Sequence, residues 1–269
     1  MKTGRVDLSI LDGQLLDGLD FCREVYDLFD RIQQAPDGVT RLRKRQGTEK
    51  KLIEELIPIA RYVQARYREG RRLKVRWLSG SQPYDAVLWS RGEIVTHRCA
   101  PRRVLLEVTS SMHENEYLAR QLLMTKGGSF GVKGISRDMK TGEVKSEPHV
   151  HRNDEIESDL AAQILARIAE KAAKHYPWNT VLVIQCFCNS LTLLSEWEDA
   201  IQRVAAAKPY IPFREVFLIE NVGAHTQTLY GHRPRRQTAS RTAQQRRSTD
   251  VSSARDSSKR QIVTIARLR

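Results

Sequence analysis

The sequence predicts an α/β protein in which a mixed central sheet is flanked by helices. Two observations lead to this fold class. Three strand-like segments follow one another without a helix between them, and helical and strand-like segments alternate after that point. Consecutive strands favour antiparallel pairing, whereas alternation favours parallel strands joined by helical crossovers, so both kinds of pairing are expected in one sheet.

Two helices are expected before the strands. Apolar residues recur every three to four positions over 14–34, and the sequence Ala35-Pro36-Asp37-Gly38 then predicts a turn. After a short basic link at 41–45, a second apolar stripe over 48–69 predicts another helix. Pro58 falls inside this stripe, and because proline removes a backbone donor, we expect a kink there.

The later elements follow from local pattern. Strands are predicted where β-branched and aromatic residues lie between turn sequences: 73–78, 84–90, 104–109, 180–187 and 215–220. Helical periodicity predicts three further helices: 114–125, 153–175 and 194–207. A turn or bulge at 90–93 leads into strand-like residues 94–97, and 131–142 suits a loop or a short hairpin.

Composition divides the chain into three parts. Residues 1–45 form an N-terminal helical segment, 46–222 form the core domain, and 223–269 form a tail with few large apolar residues, which predicts disorder. The net charge is +13, and the tail alone carries eleven Lys and Arg against two Asp. A basic tail on a mildly basic body favours a polyanionic partner, of which nucleic acid is the simplest.

The sequence also limits the class of protein. It contains no run of about 18 apolar residues that could span a membrane, and its first residues lack the apolar stretch of a signal peptide. We therefore expect an intracellular, cytoplasmic protein without a membrane partner. The four cysteines form no Cys-x-x-Cys pair, which argues against a zinc finger.

Two acidic residues lie inside predicted strands. Asp85 occurs in Pro83-Tyr84-Asp85-Ala86-Val87-Leu88, and Glu107 occurs in Val104-Leu105-Leu106-Glu107-Val108-Thr109. Burying a carboxylate is costly unless something neutralises it. If the two strands are adjacent and antiparallel, both carboxylates meet at one edge of the sheet, and Glu55 of the preceding helix could join them. Such oxygen ligands suit Mg²⁺ or Mn²⁺.

This pattern resembles that of the PD-(D/E)xK nuclease superfamily, which has the restriction-endonuclease-like fold. The resemblance covers roughly residues 48–187. Pro83-Tyr84-Asp85 resembles the half-motif that supplies the aspartate, with one residue inserted, and Glu107-Val108-Thr109 resembles the second half-motif. It implies that Mg²⁺ is held by Asp85, Glu107 and the backbone carbonyl of Val108.

The resemblance also implies two assisting residues. A glutamate of the first core helix, here Glu55 or Glu49, often supports the metal. The family's lysine, which orients or helps to deprotonate the attacking water, is replaced in this chain by Thr109, which has a hydroxyl and no charge. A substitute is therefore expected from the next helix or just after it, and the candidates are Gln121, Arg120 and Lys126.

These features predict a Mg²⁺-dependent endonuclease that hydrolyses phosphodiester bonds, with DNA as the expected substrate. The alternative is a catalytically inactive module of the same fold that binds nucleic acid or a protein partner. Such a partner could dock on the N-terminal helix. A homodimer is also possible in principle, because cutting two strands with one site per chain often requires two copies.

Overall fold

A seven-stranded mixed sheet organises the chain. The computed structural model describes residues 7–97, 99–150, 152–187, 193–221 and 225–231. The sheet has the strand order β1-β2-β3-β4-β7-β8-β9. Its strands are β1 (Leu16–Asp17), β2 (Arg72–Trp77), β3 (Ala86–Arg91), β4 (Arg103–Ser111), β7 (Thr180–Cys186), β8 (Glu215–Glu220) and β9 (Thr226–Tyr230). A separate hairpin pairs β5 (Ile135–Arg137) with β6 (Val144–Ser146).

Pairing in the sheet is both antiparallel and parallel, as the sequence predicted. Strands β1 to β4 pair antiparallel in succession, whereas β4, β7 and β8 are parallel, and β9 returns antiparallel on β8. The parallel pairs require crossovers, and these contain helices. The helices are α1 (Gly18–Gln33), α2 (Gly38–Lys44), α3 (Gly47–Lys51), α4 (Ile57–Arg66), α5 (Glu93–Thr96), α6 (Glu116–Thr125), α7 (Asn153–Ala172) and α8 (Leu194–Ala206).

The second predicted helix is divided by a π-helical turn, Leu52–Leu56, between α3 and α4. Pro58 stands at the start of α4, where its missing N–H would otherwise be needed for an α-helical bond to the preceding turn. The wider turn accommodates this loss. The side chain of Glu54, within this turn, is largely buried beside Arg45 and Lys50.

Two hydrophobic cores lie on opposite faces of the sheet. On one face, α1 and α4 pack over β2, β3, β4, β7 and β8, and the buried residues include Phe21, Val63, Val75 and Leu106. On the other face, α7 and α8 pack over β7 and β8. We call these the α1/α4 face and the α7/α8 face. Most of the apolar stripe of α1 therefore packs within the chain, and the docking of a partner on this helix stays a prediction.

Three predicted regions differ from the structure. Residues 41–45, expected to be a link, lie mostly in α2, and 94–97 lie largely in the short α5 rather than a strand. β9 falls inside the tail predicted to begin at 223, so the sheet extends further than composition indicated. Residues 232–269, the rest of that tail, lie outside the described residues. No helix in the described ranges is long and apolar enough to cross a membrane.

Candidate active site

Asp85 and Glu107 lie close together where β3 begins beside β4. The β3–β4 ladder pairs Ala86 with Leu106 and ends there, and the Asp85 N–H also donates to the Leu106 carbonyl at 2.7 Å. Asp85 and Ala86 therefore both oppose Leu106, which is the pattern of a β-bulge. Glu107 is the next residue of β4, and its charge contributes to the raised pKa of Asp85. The structure brings together the two carboxylates that the sequence singled out.

Val108 completes the local geometry of this pair. Its backbone N–H donates to Asp85 Oδ2 at 2.7 Å, which fixes the Asp85 carboxylate against β4. In a strand, the N–H and carbonyl of one residue point to the same side, and alternate residues alternate sides. The Val108 carbonyl therefore points toward β3 as well, beyond the last residue with which β3 pairs. This places a backbone oxygen beside the two carboxylates.

Lys171, near the end of α7, provides a cation at the pair. Its Nζ lies 2.6 Å from Glu107 Oε1, and both side chains are nearly buried. Tyr176, just after α7, packs on Phe213 and lies close enough to Glu107 that burial, followed by the Glu107 charge, raises the pKa of its hydroxyl. Glu107 is therefore held between a lysine and a tyrosine from the same segment.

The charges at this pair do not balance. Two carboxylates face one ammonium, so a negative charge is left over when both acids are ionised. Burial raises the pKa of Asp85 to about 7, and the charges of Glu107 and Glu55 act in the same direction, opposed by the Val108 hydrogen bond and by Lys171. A carboxyl group with this pKa changes its charge near neutral pH, which is a common property of catalytic and ligand-binding groups.

Glu55 lies near the pair without joining it. The indole N–H of Trp77 donates to Glu55 Oε2 at 3.3 Å, and burial raises the pKa of this carboxyl group. Among the described residues, no group of three or more His, Cys, Asp or Glu side chains is placed to hold a metal ion. The charge of Glu55 acts on Asp85, and its role as a third metal ligand stays a prediction. Glu49, the alternative, is engaged by Arg41.

The predicted substitutes for the missing lysine lie elsewhere. Gln121 is exposed on α6, and its side-chain oxygen accepts a hydrogen bond from Arg137 of the β5–β6 hairpin at 3.0 Å. Lys126 pairs with Glu143 at 3.5 Å, and Arg120 faces the ring of Phe187. In the contacts observed among the described residues, each of the three is engaged away from Asp85 and Glu107, and a substitute from α6 stays a prediction. Thr109 is half-buried, on the same face as Glu107.

Sequence reasoning missed Lys171, although a signal was present. The apolar stripe of α7 includes Ile164 and Ile168, and Lys171 lies seven and three positions after them. Positions with this spacing share one helix face, so a lysine there lies beside buried residues. A lysine at the inner edge of an apolar stripe can reach a buried acid, and in this structure the acid is Glu107.

An exposed basic surface lies on the α7/α8 face of the sheet, most of it toward the end of β2 and β3 away from Asp85. Helices α7 and α8 cover β7 and β8, whereas β2 and β3 are left open on that side. The outward residues of this open part are Arg72, Lys74, Arg76, Trp89, Arg91 and Arg103. The Arg76 guanidinium lies 5.6 Å from the centre of the Trp89 ring. We call these six residues the open basic face.

Comparisons of the chain with protein-family models, with curated proteins and with solved structures gave no match. The arrangement of Asp85, Glu107, Val108 and Lys171 is thus the basis for any functional argument.

Proposed function

We propose that this chain is a metal-dependent nuclease that hydrolyses phosphodiester bonds of DNA, built on a restriction-endonuclease-like sheet. The observation that carries the proposal is the close approach of the Asp85 carboxylate to Val108 and Glu107, with Lys171 against Glu107. The order of helix, three antiparallel strands, crossover and parallel strand agrees with the core that the sequence resemblance implies.

The residues present fit a hard divalent cation. Mg²⁺ is usually bound through one or two carboxylates, with water and substrate phosphate completing its octahedron, so a cage of three acidic side chains is not required. Asp85, Glu107 and the Val108 carbonyl would hold it. The surplus negative charge at the pair and the raised pKa of Asp85 favour a cation there. A bound Mg²⁺ or Mn²⁺ would supply an activated water and stabilise charge on a phosphate under attack.

The protein groups have separate roles in this proposal. The Val108 N–H holds one oxygen of the Asp85 carboxylate, which leaves the second oxygen available to a cation. Lys171 supplies the positive charge that Thr109 lacks at the corresponding position of the resembling family. From α7 its ammonium can orient a water or stabilise a developing negative charge, and Tyr176 restricts the movement of Glu107.

The open basic face would hold the substrate backbone. Four of its six residues are exposed cations: Arg72, Lys74, Arg91 and Arg103. They lie on the same face as the acidic pair, so a polyanion lying along β2 and β3 would lead to Asp85 and Glu107. Trp89 offers a half-buried ring on which a base could stack. Phosphate contacts of this kind give affinity without sequence preference.

The test is nicking of supercoiled plasmid by the full chain in Mg²⁺, in Mn²⁺ and in EDTA. The double variant Asp85→Asn/Glu107→Gln keeps shape and hydrogen-bonding capacity while removing both charges, so we expect metal-dependent nicking to fall to background. Glu170→Gln, an exposed change on α7, is the matched control and should leave the rate unchanged. Equal nicking by the double variant and the control would refute the nuclease proposal.

A second candidate function is nucleic-acid binding without cleavage. It is favoured by the contact between Lys171 and Glu107, because a lysine already in place can occupy the position of a cation. This candidate predicts salt-sensitive DNA binding and no turnover in either metal. Multiple-turnover cleavage that requires Asp85 would exclude it.

A further inference from the structure

A cleft of about 720 Å³ opens on the α1/α4 side of the molecule, away from the acidic pair. Its walls come from α1, α2, the π-helical turn, α4 and α6, and its floor from Gln185 near the end of β7. Gln185 lies two residues after Val183, which belongs to the α1/α4 core, whereas Glu107 lies on the α7/α8 face. The carboxyl ends of parallel strands are the usual place for ligands in α/β sheets.

Two largely buried guanidinium groups, those of Arg45 and Arg120, meet in this cleft. The ring of Phe187 lies 4.5 Å from the Arg45 guanidinium and 5.3 Å from that of Arg120. In the described part of the chain, Arg45 Nη1 and both terminal nitrogens of Arg120 are buried and have no hydrogen-bond partner. Their acidic neighbours, Glu54 and Glu116, lie at 3.8 and 3.6 Å, which is too far for a hydrogen bond.

The electrostatics of the cleft favour an anion with more than one charge. Burial, and then the charge of Arg120, lowers the pKa of Arg45 to about 10. Arg43 and Arg61 also line the cleft, against one lining carboxylate, Glu116. Two like charges held together and short of acceptors would gain most from an oxyanion that accepts from both.

The other residues that line the cleft indicate which chemical groups the ligand carries besides its anion. Apolar walls suited to a planar or apolar body are formed by Tyr26, Phe29, Leu42, Ile53 and Leu123. Gln185 Oε1 is buried and has no hydrogen-bond donor among the described residues, so it could accept from a ligand N–H or O–H. A phosphate, a planar body and a hydrogen-bond donor occur together in a nucleotide, and the volume is in the range of small-molecule sites.

We propose that this cleft binds a free nucleotide, with its phosphate on Arg45 and Arg120 and its base or sugar near Gln185. The site is separate from the acidic pair and does not depend on the nuclease proposal. The nucleotide would be a second ligand of the chain, and it would contact the π-helical turn that carries Glu55.

Titration calorimetry on the full chain tests this proposal with nucleoside mono- and diphosphates of the four common bases. Inorganic phosphate, adenosine and decanoate are comparison probes. We expect at least one nucleotide to bind about tenfold or more tightly than all three, because each of them lacks one feature of the site. No binding of any nucleotide at millimolar concentration would overturn the proposal, as would decanoate binding more tightly than all nucleotides.

Variants locate the binding. Arg120→Gln should weaken nucleotide affinity about tenfold or more, whereas Arg23→Gln, an exposed change on α1, should not. If Arg120→Gln is misfolded by circular dichroism, Leu123→Trp, at a largely exposed lining residue, decides by filling the cleft. Asp85→Asn should bind nucleotide normally. Unchanged affinity in the folded cleft variants would overturn the proposal.

Discussion

Glu107 and Glu215 are both buried glutamates in neighbouring parts of one sheet, and they are neutralised differently. Glu215 Oε1 accepts from the Tyr62 hydroxyl at 2.7 Å and from Arg66 Nη2 at 2.9 Å. Arg66 in turn donates to Thr228. One carboxylate therefore has one guanidinium and one hydroxyl, and the charges balance.

Glu107 has a single lysine and shares it with a second acid, Asp85. The pair keeps a surplus negative charge, and the pKa of Asp85 is raised to about 7 by burial and by its acidic neighbours. A balanced buried carboxylate serves stability, because losing any partner leaves another group unpaired. An unbalanced pair costs stability and is retained where a ligand or a reaction uses the charge. This difference is the reason that our proposal assigns function to Glu107 rather than to Glu215.

Removing each carboxylate is the strongest test of that distinction. Glu215→Ala leaves a buried guanidinium without its anion, so we expect the free energy of unfolding to fall by about 3–5 kcal/mol. Glu107→Ala leaves Lys171 beside Asp85, which can replace the lost partner, so we expect a change within about 1 kcal/mol. Urea unfolding in metal-free buffer measures both. Equal losses would mean that Glu107 is also a structural residue.

The variant Lys171→Met tests whether the charge of Lys171 next to Glu107 contributes to catalysis, apart from the packing of its side chain. Methionine keeps much of the apolar stem and removes the charge, so we expect plasmid nicking to fall about 10²–10³-fold, the usual cost of one electrostatic contact to a transition state. Lys174→Met, an exposed lysine one turn later, is the matched control. A nicking rate for Lys171→Met equal to that of the control would remove Lys171 from the mechanism.

Local pattern predicted most of the sheet, because each strand has its own turn signals. The strand at 215–220 has the predicted bounds, and the last helix differs by one residue from its prediction. β9 was missed because Thr226–Tyr230 is a largely polar edge strand, with no buried side to give a periodic signal. The π-helical turn was missed because the pattern indicated a kink at Pro58 and not how the backbone accommodates it.

The candidate site was predicted only in part, because sequence pattern shows contacts between neighbouring strands better than contacts between distant segments. Asp85 and Glu107 lie on consecutive strands, so their convergence follows from one antiparallel pairing. Lys171 is 64 residues beyond Glu107 and reaches it only through the crossover to β7. The meeting of Arg45 and Arg120 likewise depends on how α2 and α6 pack. Such contacts have no periodic signature in a single sequence.

The pH dependence of stability tests whether Asp85 is the unbalanced group. Its pKa rises from 3.8 in the unfolded chain to about 7 in the folded one, so between those values the folded protein keeps a proton that the unfolded chain has lost. Stability should therefore fall as pH rises, by roughly 2–4 kcal/mol between about pH 4 and pH 7.

Asp85→Asn should lack this fall, and at pH 8 it should be more stable than the parent protein. Mg²⁺ at pH 8 should restore stability to the parent and not to the variant. Urea unfolding at several pH values measures both effects. If stability depends on pH in the same way in the parent protein and in the variant, the pKa of Asp85 is not raised. The surplus negative charge would then not be at Asp85.

The smallest expected effect concerns the open basic face, which lies outside Asp85 and Glu107 and would bind the DNA backbone. Replacing Arg72 and Lys74 by Ala removes two exposed cations on the side of Asp85 and Glu107, so the slope of log affinity for DNA against log salt should decrease by about 2. Arg23→Ala/Arg31→Ala removes two cations from α1 on the opposite side and should leave the slope unchanged. Fluorescence anisotropy with labelled duplex at several salt concentrations measures both. Equal slopes would place the polyanion on another surface, and Asp85 and Glu107 would then lose their connection to a bound backbone.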